Sequence, residues 1–109
     1  MAIATVNPAT GETLKTFEAL TDAELTDRLE RAQTAYRSYR LTSYAERAGW
    51  LRATADLLDA EVHAIATLMT TEMGKTLASA KAEVGKCAAG CRYYAEHAER
   101  LLEIGRAHV

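Results

Sequence analysis

Thr71-Glu72-Met73-Gly74-Lys75-Thr76-Leu77 is the stretch that decides the fold, because it predicts where one helix ends and the next begins. Gly74 fits the left-handed backbone position at which helices commonly end. Thr76 fits the N-cap position, where its hydroxyl accepts a hydrogen bond from a backbone N–H of the first turn. The stretch therefore predicts a tight junction between two helices.

The helix after this junction is predicted to be long. Small or apolar residues recur every three or four positions from Leu77 onward, which is typical of a helix with one buried face. The predicted face consists of Ala80, Val84, Cys87, Cys91, Tyr94, Ala98 and Leu101. At about 1.5 Å per residue, a helix over residues 77–102 spans roughly 39 Å. Such a helix predicts a protein body larger than this chain alone can build.

Three more helices are predicted before the junction. Capping boxes at Thr21-Asp22-Ala23-Glu24 and Ser43-Tyr44-Ala45-Glu46 start the first two, and the first ends near Arg40. The short gap between them predicts antiparallel neighbours, and a third helix covers residues 60–73. The predicted apolar face of the first helix consists of Leu25, Leu29, Ala32 and Tyr36. That of the second consists of Ala48, Leu51, Ala55 and Leu58, broadened by Trp50, Thr54 and Leu57. That of the third consists of Val62, Ile65, Ala66, Met69 and Met73.

The first residues predict a β-hairpin. Residues 2–18 alternate weakly in polarity on either side of a segment that contains Asn7, Pro8 and Gly11. These three residues offer an Asx turn, a fixed φ and a tolerated positive φ. The predicted fold is thus mostly α, with a short N-terminal β-hairpin and four helices.

Composition narrows the class of protein. Hydrophobic residues make up 49% of the 109 residues but aromatic ones only 6%, so much of the apolar content is alanine and the core is thin. The formal net charge of −2 gives no basic field, so neither nucleic acid nor an anionic membrane is expected as a partner. We expect a cytoplasmic protein, since no export signal or spanning segment is evident.

The cysteines and histidines do not predict a metal site. Cys87 and Cys91 are four residues apart, so they share one side of the predicted helix. His97 lies on a different face, and His63 and His108 belong to other segments, whereas a tetrahedral site needs at least two more ligands. Buried or half-buried small thiols are the favoured interpretation.

Other polar residues also have structural interpretations. Lys75 lacks the spacing of a phosphate-binding loop and is expected to be a capping and surface lysine. Glu72 and Glu83 lie on different predicted helices, so catalysis by a carboxylate pair is not expected. A pair between Glu96 and Arg100 would stabilise a solvated helix face. The tyrosines are expected to anchor neighbouring layers: Tyr36, Tyr39, Tyr44, Tyr93 and Tyr94.

Several phrases in one frame carry a family resemblance. They are Asn7-Pro8-Ala9-Thr10-Gly11-Glu12, the junction quoted above, Ala82-Glu83-Val84, Lys86-Cys87 and Arg92-Tyr93-Tyr94-Ala95-Glu96. In order and spacing, residues 2–102 resemble the N-terminal region of the NAD(P)-dependent aldehyde dehydrogenases, particularly the succinate-semialdehyde type. The resemblance implies that residues 1–102 form the hairpin and helical shell of the cofactor-binding domain of an α/β enzyme.

The resemblance also implies what this chain does not contain. The family uses a catalytic cysteine, a glutamate base, an asparagine amide and a lysine that contacts the cofactor ribose, and none of those motifs occurs here. The glycines never form a Gly-x-Gly pair. We therefore expect no catalytic, cofactor-binding or metal-binding residue in this chain, and no NAD or NADP bound to it. The whole enzyme is expected to be a homo-oligomer that oxidises a small aldehyde with NAD or NADP.

Two alternatives concern the origin of the chain. A free-standing helical interaction module without catalysis would also fit the alanine-rich helices, and the genomic bases after the Leu102 codon would distinguish it. Residues 103–109, Glu-Ile-Gly-Arg-Ala-His-Val, break the resemblance. Read as GAG ATC GGA AGA GCA CAC GTC, they resemble a sequencing-library adapter, so we predict a non-native tail. The alternative is an ordinary frayed helix end with Gly105 as its stop.

Overall fold

A hairpin followed by four helices makes up the fold. The computed structural model describes residues 3–106. In chain order the elements are β1 (Ile3–Val6), β2 (Thr13–Phe17), α1 (Asp22–Tyr39), α2 (Tyr44–Ala60), α3 (Val62–Met73) and α4 (Leu77–Arg106). The predicted mostly helical fold with a short hairpin is confirmed.

The end of α4 differs from the prediction. The helix continues past residue 102, through Gly105 to Arg106, so Gly105 does not end it. His108 lies outside the described residues. The interpretation of residues 103–109 as a non-native tail stays a prediction, because an amphipathic helix can continue through either kind of sequence.

The hairpin follows from its turn residues. Strands β1 and β2 are antiparallel, with Ile3 opposite Phe17 and a bulge between Thr5 and Val6. The Asn7 side-chain oxygen accepts a hydrogen bond from the Ala9 N–H at 2.9 Å. Gly11 adopts a φ of 75°, which glycine tolerates without steric cost. The predicted Asx turn and positive φ are both confirmed.

Both predicted capping boxes are present. The Glu24 carboxylate accepts the Thr21 N–H at 2.8 Å, and the Thr21 hydroxyl accepts the Glu24 N–H at 3.2 Å. Ser43 and Glu46 repeat the arrangement at 2.8 and 3.1 Å. These hydrogen bonds favour the ionised carboxylate, so the pKa of each glutamate is lowered, chiefly by the backbone N–H of the capping residue. The boxes fix where α1 and α2 begin.

The chain divides into two compact units, one up to residue 42 and the other from residue 43 onward. The first unit contains the hairpin and α1, and no residue of α1 is buried. The predicted apolar face of α1, which includes Leu25 and Leu29, is therefore exposed. Since α1 and α2 belong to different units, their predicted antiparallel packing stays a prediction.

The second unit is a layer two helices deep. Helix α4 packs against both α2 and α3, which are separated by Glu61 alone. Ala80 and Val84, early in α4, cluster with Ala66 of α3. Further along α4, Arg92 reaches α2. The chain direction of α4 is therefore opposite to that of α2 and α3.

The contact between α4 on one side and α2 and α3 on the other, which we call the seam, is made of small side chains. The buried apolar residues among those described are Ala55, Ala66, Ala80, Val84 and Ala88. Leu58, Val62, Ile65 and Met69 are partly buried against this seam. Alanine brings two helix backbones close together but removes little apolar area from water. The thin core predicted from the composition is confirmed for the described residues.

The predicted faces of α2, α3 and α4 also need correction. On α4 the buried position after Val84 is Ala88, and Cys87 beside it is exposed. Tyr94 and Leu101 of the predicted α4 face are also exposed. The physical reason is that a seam between two close helices selects the small side chain and turns larger ones outward. On the other helices, Trp50, Thr54, Leu57 and Met73 are exposed as well.

Candidate functional site

The junction between α3 and α4 is the most highly organised polar region of the second unit. Gly74 adopts a φ of 73°, and its N–H donates to the Thr70 carbonyl at 2.9 Å, which ends α3. The Thr76 hydroxyl accepts the Ser79 N–H at 3.2 Å and begins α4. Both roles predicted for this stretch are confirmed.

Lys75 lies between these two caps and forms an ion pair with the Glu83 carboxylate. The side chain of Lys75 is only 26% exposed, so it is less open to solvent than a surface lysine. Its ammonium group already has an anionic partner within the chain. The arrangement ties the junction to the second turn of α4 and supports a structural role for Lys75.

Glu72 and Glu83 have different surroundings. Glu83 pairs with Lys75, and Glu72 is exposed on α3. General acid–base catalysis by two carboxylates requires both to flank one reacting group. The expectation that this pair is not catalytic stays a prediction.

The two cysteines have different environments. Both thiols are free; Cys91 is half-buried and Cys87 is exposed. The prediction of a buried or half-buried thiol is confirmed for Cys91 and wrong for Cys87. Cys87 is exposed because Ala88 occupies the seam position, which rotates its neighbour out toward solvent.

No metal constellation is found in residues 3–106, where no group of three or more His, Cys, Asp or Glu side chains converges. His97 instead packs on Tyr93, with ring centroids 4.4 Å apart. Its Nε2 lies 3.9 Å from a Glu96 carboxylate oxygen. Glu96 thus approaches His97, the residue next to it, in place of the predicted partner Arg100. His63 is exposed on α3.

A cluster that the sequence analysis missed links α2 to α4. The Arg92 guanidinium lies 2.9 Å from Asp56 Oδ1 and 2.7 Å from Asp59 Oδ2. These hydrogen bonds raise the pKa of Arg92. The sequence signal was present: aspartates three apart on one helix, and an arginine on another. It was not decisive, because the pairing depends on how the helices align.

The tyrosines fall into two groups. Tyr44 is half-buried at the start of α2, whereas the others are exposed: Tyr36, Tyr39, Tyr93 and Tyr94. Tyr93 and Tyr94 make an edge-to-face contact with ring centroids 5.3 Å apart. The exposed rings present apolar surface to the outside of the chain. Their predicted role as anchors to a neighbouring layer stays a prediction.

The two described strands do not have the topology of a Rossmann-type cofactor turn. A Rossmann-type site needs a strand that leads through a glycine-rich turn into a crossover helix and a parallel strand. Here β1 and β2 pair with each other in antiparallel fashion. Within residues 3–106, neither strand begins a parallel crossover.

The family model of the aldehyde dehydrogenases matches residues 1–107. The chain belongs to the aldehyde dehydrogenase family. This match favours the enzyme-family interpretation over a free-standing helical interaction module. The expectation that this chain contains no catalytic residue stays a prediction.

Similar sequences include succinate-semialdehyde dehydrogenases. The enzyme named succinate-semialdehyde dehydrogenase [NADP(+)] 1 of Mycobacterium tuberculosis is 62% identical over 102 residues, covering 94% of this chain and 22% of the relative. The Mycobacterium leprae enzyme is 59% identical over the same length. The chain thus spans about a fifth of the length of these relatives.

Solved structures show the same local fold. The succinic semialdehyde dehydrogenase of Streptococcus pyogenes, in complex with NADP+, has a TM-score of 0.83 at 38% identity, covering 91% of this chain and 22% of that one. The Burkholderia pseudomallei succinate-semialdehyde dehydrogenase gives 0.80 at 37% identity, with 92% and 21% covered. The chain therefore has the N-terminal fold of this family. None of the helices within residues 3–106 has the length and apolar composition needed to cross a bilayer.

Proposed function

We propose that this chain is the N-terminal part of an NADP-dependent succinate-semialdehyde dehydrogenase. In the whole enzyme it forms the hairpin and helical shell of the cofactor-binding domain. The observation that carries the proposal is the 62% identity to the Mycobacterium tuberculosis enzyme across 94% of the chain. The whole enzyme oxidises succinate semialdehyde to the carboxylic acid in the cytoplasm and assembles as a homo-oligomer.

The role of this chain in that enzyme is structural. Two groups of its charged side chains pair within the chain: Lys75 with Glu83, and Arg92 with Asp56 and Asp59. Groups already paired in this way position helices and are not available to activate a substrate. We propose that the isolated chain neither oxidises aldehydes nor binds NAD or NADP.

A chimera tests the proposed function. Residues 1–102 replace the matching segment of the Mycobacterium tuberculosis relative, and NADP reduction with succinate semialdehyde is followed at 340 nm, the wavelength at which the reduced cofactor absorbs. The expected result is activity that depends on both substrate and cofactor. A soluble, folded chimera without activity would contradict the proposal.

The isolated chain provides the complementary measurement. We expect no aldehyde-dependent nicotinamide reduction and no heat of NADP binding at millimolar cofactor. Saturable cofactor binding by the chain alone would show that it contains a site of its own.

A further inference from the structure

Two free thiols lie one helical turn apart on α4. Cys87 is exposed and Cys91 is half-buried, and they are the two cysteines of the chain. Residues four apart on a helix are neighbours on the same side, with about 5–6 Å between their Cβ atoms. The backbone of a single helix therefore holds the two sulfur atoms side by side.

This spacing is too wide for a direct bond between the sulfurs. A disulfide requires Cβ atoms about 3.5–4.5 Å apart, so the helix would have to distort before Cys87 and Cys91 could join. A bridge that contains one more atom is longer, because two bonds to a central atom replace the single sulfur–sulfur bond. The pair therefore fits a one-atom bridge better than a disulfide.

The surroundings restrict the central atom to one that two thiolates can satisfy. Within residues 3–106, no group of three or more His, Cys, Asp or Glu side chains converges, whereas a tetrahedral zinc site needs four ligands. Glu83, one turn before Cys87, is already paired with Lys75. Thiolates are soft ligands and select soft central atoms. Trivalent arsenic with one organic substituent meets these conditions, because it is pyramidal and has two positions left for sulfur on the same side.

The pair is accessible from one flank of α4. Gly90 is three residues after Cys87, about 60° around the helix from it and away from the buried Ala88. Apart from its chain neighbours and the helix backbone, no atom lies within 4 Å of the point where a Gly90 side chain would begin. A small ligand can therefore approach the thiols from this flank, away from the seam.

We propose that Cys87 and Cys91 form a dithiol site for monosubstituted trivalent arsenicals, in which one arsenic atom bridges one turn of α4. With an organoarsenic oxide, R–As=O, the reaction is a condensation. Two As–S bonds form, the bond between arsenic and oxygen breaks, and both thiol protons leave with the oxygen as one water molecule. Arsenic stays trivalent, so no oxidant or reductant takes part. The site uses groups to which the proposed function assigns no role, and the inference does not depend on that function.

Phenylarsine oxide tests the site on the 109-residue chain. The chain is reduced, the reductant is removed, and the arsenical is titrated in the presence of excess glutathione, which competes as a monothiol. Native mass spectrometry identifies the bridged product, which gains one phenylarsenic group and loses two hydrogen atoms. Far-UV circular dichroism measures the helix content before and after binding.

Three variants separate the paired site from single thiols. Cys87→Ser and Cys91→Ser each leave one sulfur ligand. The matched control combines Cys87→Ser with Ala89→Cys, and Ala89 is an exposed position of the same helix. This double variant keeps one exposed and one half-buried thiol, but places them about 200° apart around α4.

We expect the unmodified chain to bind one arsenical, to lose both free thiols and to keep its helix content, because the bridge joins residues that the helix already holds together. Half-saturation should require at least about tenfold less arsenical than in any of the three variants. Binding should also raise the midpoint of urea unfolding of the unmodified chain, since a ligand that prefers the folded state stabilises it.

Several results would overturn the inference. Absence of a bridged product, or equal binding by a single-thiol variant, would show that the two sulfurs do not act together. Equal binding by the matched control would show that the spacing along α4 does not matter. Loss of helix content when the unmodified chain binds would mean that the helix does not present the site. A product with two chains per arsenic would place the bridge between molecules.

Discussion

Arg92 of α4 and Asp59 of α2 are joined by a contact of 2.7 Å between Nη2 and Oδ2, across the seam of a helix pair whose buried residues are small. Asp56 completes the cluster at 2.9 Å. Two helices that touch only through alanines pack almost equally well in neighbouring registers. A charged cluster that satisfies one alignment favours that register, although exposed ion pairs each contribute little.

We predict that Arg92→Gln loosens the contact between α2 and α4. The variant keeps a long polar side chain but removes the charge that two aspartates share. Amide hydrogen exchange of residues 55–59 should become faster than in the unmodified chain. The difference should shrink in 1 M salt, since exposed ion pairs are screened.

Arg52→Gln is the matched control for this experiment, because Arg52 is an exposed arginine on α2 outside the cluster. It should leave exchange in residues 55–59 unchanged. Equal acceleration by both substitutions would mean that net charge, and not the Arg92 contacts, determines the stability of the layer.

The alanine seam gives a second prediction. Ala88 is 1% exposed, so a leucine there has no space between the close helices. We expect Ala88→Leu to lower the free energy of unfolding by about 1–3 kcal/mol, the usual cost of overpacking. Urea unfolding monitored by circular dichroism measures the change.

Ala89→Leu is the control, because Ala89 is exposed on the same helix and leucine has nearly the same helix propensity as alanine. It should change the free energy of unfolding little. A destabilisation by Ala89→Leu as large as that by Ala88→Leu would contradict the seam.

The contrast between local and tertiary features explains what could be predicted from the sequence. Gly74, Thr76 and the two capping boxes act on backbone groups within four residues, so their roles followed from local chemistry. The helices they delimit followed as well. The family resemblance was carried by whole phrases and needed no knowledge of packing.

Features that depend on distant neighbours were not predictable in the same way. Cys87 and Ala88 both fit a spacing of three or four residues. Only the close approach of α2 and α3 to α4 decides that Ala88, the smaller of the two, is buried. The Arg92 cluster needs the register of two helices. For the candidate site, the family's catalytic motifs do not occur in this chain, so the sequence predicts scaffold roles. That expectation stays a prediction.

The capping boxes predict a pH dependence of helix content. Hydrogen bonding lowers the pKa of Glu24 and Glu46 in the folded chain. A carboxyl group whose folded pKa is below its unfolded pKa stabilises the folded state above the unfolded pKa, and this contribution is lost as the pH falls through the folded pKa. Helix content measured by circular dichroism should therefore fall on acidification from neutral pH.

The double variant Glu24→Gln with Glu46→Gln should flatten this acid transition, because glutamine can keep the capping geometry without a titrating group. Glu30→Gln removes a carboxylate of α1 that lies outside the boxes and serves as the control. An acid transition that is identical in the double variant and the unmodified chain would assign the pH dependence to other groups.

The two thiols give the last prediction. Cys87 is exposed, whereas Cys91 is half-buried against the seam, so a water-soluble alkylating reagent should modify Cys87 several-fold faster in the isolated chain. Peptide mass spectrometry after short exposures to iodoacetamide measures both rates, and urea-unfolded chain provides the reference in which accessibility no longer differs. Replacing Ala88 with leucine should raise the rate at Cys91 toward that of Cys87, because opening the seam exposes the half-buried thiol. Faster modification of Cys91 than of Cys87 in the folded chain would contradict this prediction. It would mean that Cys87 lies in the seam, as the residue spacing alone predicts.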